Sequence, residues 1–230
     1  MKVVIMAAGK GTRMLSLTEK TPKVLVEING KPFLYYVLKS LGLAGYTEIG
    51  IIVGYMGEKI GEFLQEYGFK ATLIEQKEQK GTGHAVLQAR KFVGKENFVV
   101  LGGDNLWGVD DLKAIGKHDE LNYVSGVRVE DTQRYGVIIT EKNYLKEIRE
   151  KPKEDCGKLI NTGLYQFTPE IFSKLEKVTV SPRGEIELTD AITMLAKEGK
   201  VKVLQAKWWL DLGSKEDIPK VEMFLRKEKI

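Results

Sequence analysis

The sequence holds one cysteine, Cys156, and two histidines, His84 and His118, in 230 residues. One thiol closes no internal disulfide, and so few soft ligands form no zinc-type cluster, so a reducing cytoplasm is the expected setting. Long apolar runs are also missing. Apart from Lys2, residues 1–8 are apolar but pass straight into Gly9-Lys10-Gly11, without the longer apolar core and cleavage site of a signal peptide. No stretch approaches the roughly 20 residues of a membrane span. Nor is there an excess of one charge sign: 36 basic and 32 acidic residues are interleaved, with no basic arm or acidic tail that would call for nucleic acid.

What is present suits one substantial core. The chain is 43% hydrophobic and has no internal repeat or low-complexity tract, so a single domain over 1–230 is expected, with a change of character near residue 120. Before that point, β-branched runs at 2–6, 48–53, 70–75 and 97–101 alternate with helical periodicity. Phe33, Leu34, Val37, Leu38 and Leu41 form one apolar stripe, Met56, Ile60, Phe63, Leu64 and Tyr67 another, and a third helix is expected over 82–93. This alternation predicts βαβ units and a mostly parallel sheet. Beyond residue 120, strand-like segments at 122–129, 135–140, 144–149 and 159–167 follow one another across short polar turns, as in an antiparallel excursion. Helical patterns return at 169–175, 188–198 and 215–227, with a further strand at 201–206.

The first strand runs into Ala7-Ala8-Gly9-Lys10-Gly11-Thr12-Arg13-Met14, followed by Pro22-Lys23. Small residues let a backbone approach a ligand closely, and successive N–H groups can cradle phosphate oxygens. Arg13 offers a planar fork for phosphate and Lys23 a point charge. Two familiar phosphate loops are excluded: the dinucleotide fingerprint needs a glycine where Met14 stands, and the P-loop needs Gly-Lys-Ser/Thr after a four-residue gap. Considered alone, Gly9 and Gly11 could simply shape a tight turn. Further along, Asp104 ends the buried run Val99-Val100-Leu101-Gly102-Gly103, at the strand end where open α/β sheets bind ligands.

The loop with its Pro22-Lys23 resembles the signature of the sugar-1-phosphate nucleotidylyltransferases, and other landmarks of that family follow in order to about residue 217. Gln76 and Gly81-Thr82-Gly83-His84-Ala85 are similar to its base-reading segment, and Trp209-Leu210-Asp211-Leu212-Gly213 to its second metal-ligand motif. Tyr135-Gly136, Glu150-Lys151-Pro152 and Asn161-Thr162-Gly163 resemble its sugar-phosphate elements, and 183–191, containing Glu187 and Thr189, resembles the segment that closes over the sugar.

The resemblance implies a Rossmann-like three-layer α/β/α sandwich, with a mostly parallel mixed sheet and a β-rich sugar-binding portion. The nucleotide half would be 1–120 and the sugar-phosphate half 121–230. It implies that Ala8, Gly9, Gly11, Thr12, Arg13, Lys23, Gln76, Gly81 and Thr82 bind the nucleotide, and that Gly136, Glu150, Lys151, Asn161 and Thr189 bind the sugar phosphate. Asp104 and Asp211 would hold Mg2+, and Arg13, Lys23, Asp104 and Lys151 would carry catalysis. His84 is expected to be a packed residue and Thr82 to cap the helix that follows it.

The expected reaction joins UTP or dTTP to glucose 1-phosphate and releases pyrophosphate. Glu187 and Asp211 favour glucose, whereas Gly-Thr-Gly-His-Ala is the form typical of aminosugar enzymes. N-acetylglucosamine-1-phosphate uridylyl transfer and mannose-1-phosphate guanylyl transfer therefore stay open, as does a catalytically silent nucleotide-sugar-binding subunit. The chain's end implies no β-helical acetyltransferase domain and leaves a homo-oligomer open. Small-molecule substrates are expected, with no nucleic-acid or membrane partner.

Overall fold

A computed structural model describes residues 1–9, 11 and 14–228, apart from the side chains of Leu15 and Ser16. Lys10, Thr12 and Arg13 lie outside the described residues, so the expectations for Thr12 and Arg13 have no structural counterpart here. In chain order the elements are β1 (Lys2–Met6), α1 (Leu15–Thr18), β2 (Glu27–Ile28), β3 (Lys31–Pro32), α2 (Phe33–Leu43), β4 (Ile49–Val53), α3 (Gly57–Tyr67) and β5 (Thr72–Glu75). Next come α4 (Thr82–Gln88), α5 (Arg90–Val93), β6 (Phe98–Gly102), β7 (Asn105–Trp107), α6 (Val109–Ile115), β8 (Asn122–Arg128), β9 (Gly136–Glu141) and β10 (Tyr144–Glu150). The chain continues through β11 (Leu159–Phe167), α7 (Glu170–Leu175), α8 (Leu188–Lys197), β12 (Val201–Gln205), β13 (Trp209–Asp211) and α9 (Ile218–Glu228).

Among the described residues, nine strands form one sheet in the order β5-β4-β1-β6-β11-β8-β12-β10-β9. β5, β4, β1 and β6 run parallel, which βαβ crossovers require, and β11 then enters antiparallel to both β6 and β8. Successive side chains of a strand point to opposite faces. Val3 and Ile5 accordingly join a core under α2, α3, α6 and α9, while Val4 joins a second core under α4, α5, α7 and α8. The sheet is therefore covered on both sides, which is why its central strands are unbroken apolar runs.

Pro32 sits at the N-cap of α2 and pairs within the β2–β3 hairpin. Two local expectations need correction. The helix expected over 82–93 is divided at Ala89 into α4 and α5. Gly81, not Thr82, occupies the N-cap of α4, because its φ of 97° and ψ of 177° suit only a residue without Cβ. No helix among the described residues is long and apolar enough to cross a membrane.

Candidate active site

Parallel pairing of β1 with β6 sets Met6 beside Gly102, so the glycine-rich loop and Asp104 emerge at neighbouring strand ends. Gly103 N–H donates to Met6 C=O at 2.9 Å, joining the two exits. Gly11 holds a φ of +62°, where a side-chain-bearing residue is strained, and an added Cβ would crowd Thr18 at 3.0 Å and Lys23 at 3.1 Å. Lys23 follows Pro22 in a short 3-10 turn and is buried. Its Nζ lies 2.5 Å from Asp104 Oδ2. Together with Gly9, Gly11 and Gly213 these two residues line a cavity of about 210 Å³.

Asp211 reaches this place from the far end of the chain. β13 pairs antiparallel with β7, setting Asp211 opposite Asn105, and Leu212 N–H donates to Asp104 C=O at 2.9 Å. A Cβ on Gly213 would lie 2.7 Å from Asp211 Oδ2, so the carboxylate abuts a residue that lines the same cavity. Among the described residues no group of three or more His, Cys, Asp or Glu is arranged to hold a metal.

A second cavity, of about 320 Å³, shares Met6 and Gly9 with the first and adds Ala8, Gln76, Gln79, Gly81 and Glu185. Gln76 is buried, and its Nε2 lies 3.3 Å from Gly81 C=O and 3.0 Å from His84 Nδ1. His84 thus packs against Gln76 and, through its other ring nitrogen, lies 3.3 Å from Gln88 Nε2. Gln79 was given no role by the sequence, yet its Nε2 donates to Ala8 C=O at 2.6 Å and ties this wall to the glycine-rich loop. The Thr82 hydroxyl accepts from Leu188 N–H at 3.2 Å, joining the start of α4 to the start of α8. Ile186 completes the seam by donating to Lys80 C=O and accepting from Gly83 N–H.

The third cavity, of about 510 Å³, contains Glu150, Lys151, Thr189, Arg183 and Glu187. Gly136 pairs with Glu150 in the sheet, and a Cβ there would lie 3.2 Å from Glu150 Oε1. Glu150 is exposed as a residue, yet loss of water around its carboxyl group pushes its pKa up, against the lowering influence of Arg183. Lys151 holds a φ of 42°, a strained value for a side-chain-bearing residue. Arg183 donates to the buried Glu187 at 2.8 Å. Tyr135, next to Gly136, links this region to the first cavity: burial foremost, then the charge of Asp211, raises its phenol pKa. Asn161 behaves differently. Its amide donates to Tyr165 Oη at 2.7 Å and accepts from Gly163 N–H at 3.1 Å, so both ends already serve the bulge in β11.

Parallel strand ends that present a glycine loop and a Lys–Asp pair, with a second Asp brought in on the short β13–β7 sheet, mark an α/β protein of the kind that binds ligands at its strand ends. The chain belongs to the nucleotidyl transferase family, whose model matches residues 2–228. It is 36% identical to the UTP–glucose-1-phosphate uridylyltransferase AglF of Haloferax volcanii, over 99% of this chain and 98% of that protein. It is 38% identical to the bifunctional protein GlmU of Methanocaldococcus jannaschii, over 98% of this chain but only 54% of that protein, so it spans about half of that relative. A UDP-glucose pyrophosphorylase solved with UDP-glucose superposes with a TM-score of 0.87 at 26% identity, covering 99% of this chain and 98% of the other.

Proposed function

We propose that this protein joins UTP or dTTP to a sugar 1-phosphate, with glucose 1-phosphate the preferred acceptor, and acts in the reducing cytoplasm that its single thiol suits. A phosphate oxygen of the sugar attacks the α-phosphorus, the bond between α-phosphorus and bridging oxygen breaks, and pyrophosphate leaves. The observation that carries the proposal is the Lys23–Asp104 pair, buried at the lysine and half-buried at the aspartate, set between the glycine loop and the strand bearing Asp211. Partial removal of such a pair from water has a desolvation cost, which a charged ligand can offset.

Asp104 and Asp211 fit Mg2+, which favours one or two carboxylates with phosphate oxygens and water. When bound, Mg2+ supplies charge neutralisation to the reacting phosphates. Lys23 has three donors on a flexible stem and can turn from Asp104 to an incoming phosphate. Arg13 is assigned to the same triphosphate by its place in the loop. Gln76 can both donate to and accept from a base edge, and the Gly81 backbone borders the same cavity. Glu150 and Thr189 take sugar hydroxyls, and Lys151 offsets repulsion between the two anionic substrates. Residues 1–120 handle the nucleotide, with Asp211, Gly213 and Glu185 added from the second half, and 121–230 handle the sugar phosphate, within a single domain.

The test is pyrophosphate release from UTP, dTTP, CTP and GTP, each against glucose, N-acetylglucosamine, galactose and mannose 1-phosphates. The expected result is fastest release with UTP or dTTP and glucose 1-phosphate. Fastest release with N-acetylglucosamine 1-phosphate would replace the acceptor, and no release in any pair would indicate a silent binding subunit.

A further inference from the structure

Asp104 is held by a relay that the proposed function does not use. Its Oδ1 accepts from Asn105 Nδ2 at 2.7 Å. Asn105 Oδ1 in turn accepts from Trp209 Nε1 at 2.7 Å, across 104 positions of sequence. An indole nitrogen only donates, so Trp209 fixes which end of the Asn105 amide is the acceptor. The other end is then left to donate to Asp104. The alternative amide orientation would set N–H against N–H at Trp209 and two oxygens against each other at Asp104. Trp209 is itself braced edge-to-face by Tyr135, with ring centroids 5.3 Å apart, and by β13–β7 pairing, in which it faces Trp107.

We infer that Trp209 and Asn105 are positioning residues that orient the Asp104 carboxylate for a divalent cation. Asn105, held by Trp209, occupies Oδ1 and leaves Oδ2 to the cationic Lys23 Nζ, in a residue pair that lines the first cavity. The relay also joins the two carboxylate-bearing strands, since Trp209 and Asp211 lie on β13 while Asn105 lies on β7. Groups that orient a metal ligand raise affinity by fixing its direction before the ion arrives. The inference rests on Asp104 being a metal ligand, as proposed above.

The experiment is calorimetric titration of the whole protein with Mn2+, for wild type and for Trp209→Phe, Asn105→Ala, Asp104→Asn and Trp107→Phe, with thermal melts as the check on folding. Trp209→Phe and Asn105→Ala are expected to weaken Mn2+ binding by roughly 10- to 100-fold. Trp107→Phe removes an indole donor from the same ladder, one bound to Thr162 at 3.1 Å, and is expected to leave Mn2+ binding unchanged. If Asp104→Asn weakens binding but Trp209→Phe and Asn105→Ala do not, the relay is wrong and the metal assignment stands. Equal weakening by Trp107→Phe also overturns the relay, since the effect would then be general loosening of the ladder. If wild type and Asp104→Asn behave alike, the assignment of Asp104 to metal fails and takes the relay with it.

Discussion

Asp104 and Glu150 are both carboxylates at strand ends, yet the chain treats them differently. Asp104 follows β6 in the doubly covered parallel part of the sheet, and both of its oxygens are engaged, one by Asn105 and one by Lys23. Glu150 closes β10 beside β9, in the antiparallel part of the sheet where β9 pairs with both β10 and β11; it is exposed and precedes a Lys151 in strained backbone. Parallel strands buried on both faces bring loop ends together rigidly, so charge there is set before any ligand arrives. The antiparallel side leaves its charged groups in a wider cavity, where a substrate can do part of the ordering.

This contrast can be tested by substitution. Asp104→Asn should lower kcat by roughly 10²-fold or more, the scale on which preorganised charge stabilisers are lost, while the melting profile is retained. Near-normal turnover would remove the distinction between the two carboxylates. Gly81→Ala comes next, because the new side chain would occupy a backbone region almost reserved for glycine and set Cβ 2.7 Å from Ile186 C=O. It should cost about 1–3 kcal/mol of stability, read by scanning calorimetry. Glu150→Gln should reduce kcat/KM for the sugar phosphate by about 10-fold, the worth of one charge-assisted hydrogen bond, with the KM for nucleotide unaltered. A matching rise in nucleotide KM would argue against separate roles for the second and third cavities.

The smallest effect is expected outside every cavity, at Glu198. Hydrogen bonds from Lys174 and then Lys200 pull its pKa down from 4.5 to about 2. A carboxyl group with a lowered folded pKa contributes stability above its unfolded value and loses it as pH falls toward the folded one. Glu198→Gln should therefore flatten the loss of stability between pH 4.5 and about 2 in denaturant titrations, and leave turnover at neutral pH untouched.

The sequence made the parallel half legible because β1, β4 and β6 are continuous apolar runs, buried on both faces, separated by helical stripes. β7 and β13 escaped notice. Each is three residues long, with no room for a period of two to show, and their pairing joins Asn105 to Asp211 across nearly half of the chain. The same distance hid the Trp209–Asn105 relay, although Asn105 stands beside Asp104 in sequence. Gln79 carried no signal either, since its contact with Ala8 depends on the way the 76–81 segment folds back on the loop. Asn161 shows the converse: its motif is plain in the sequence, but its amide is engaged within its own strand. The break at Ala89 has no mark in the sequence that we can identify.

The proposed function requires Asp104 and Asp211 to converge on one divalent ion in the cavity beside Gly9 and Lys23. Anomalous diffraction from crystals grown with Mn2+ tests this directly. A single strong peak within coordination distance of both carboxylates is expected; a peak bound to neither, or to only one of them, would rule out the shared ion.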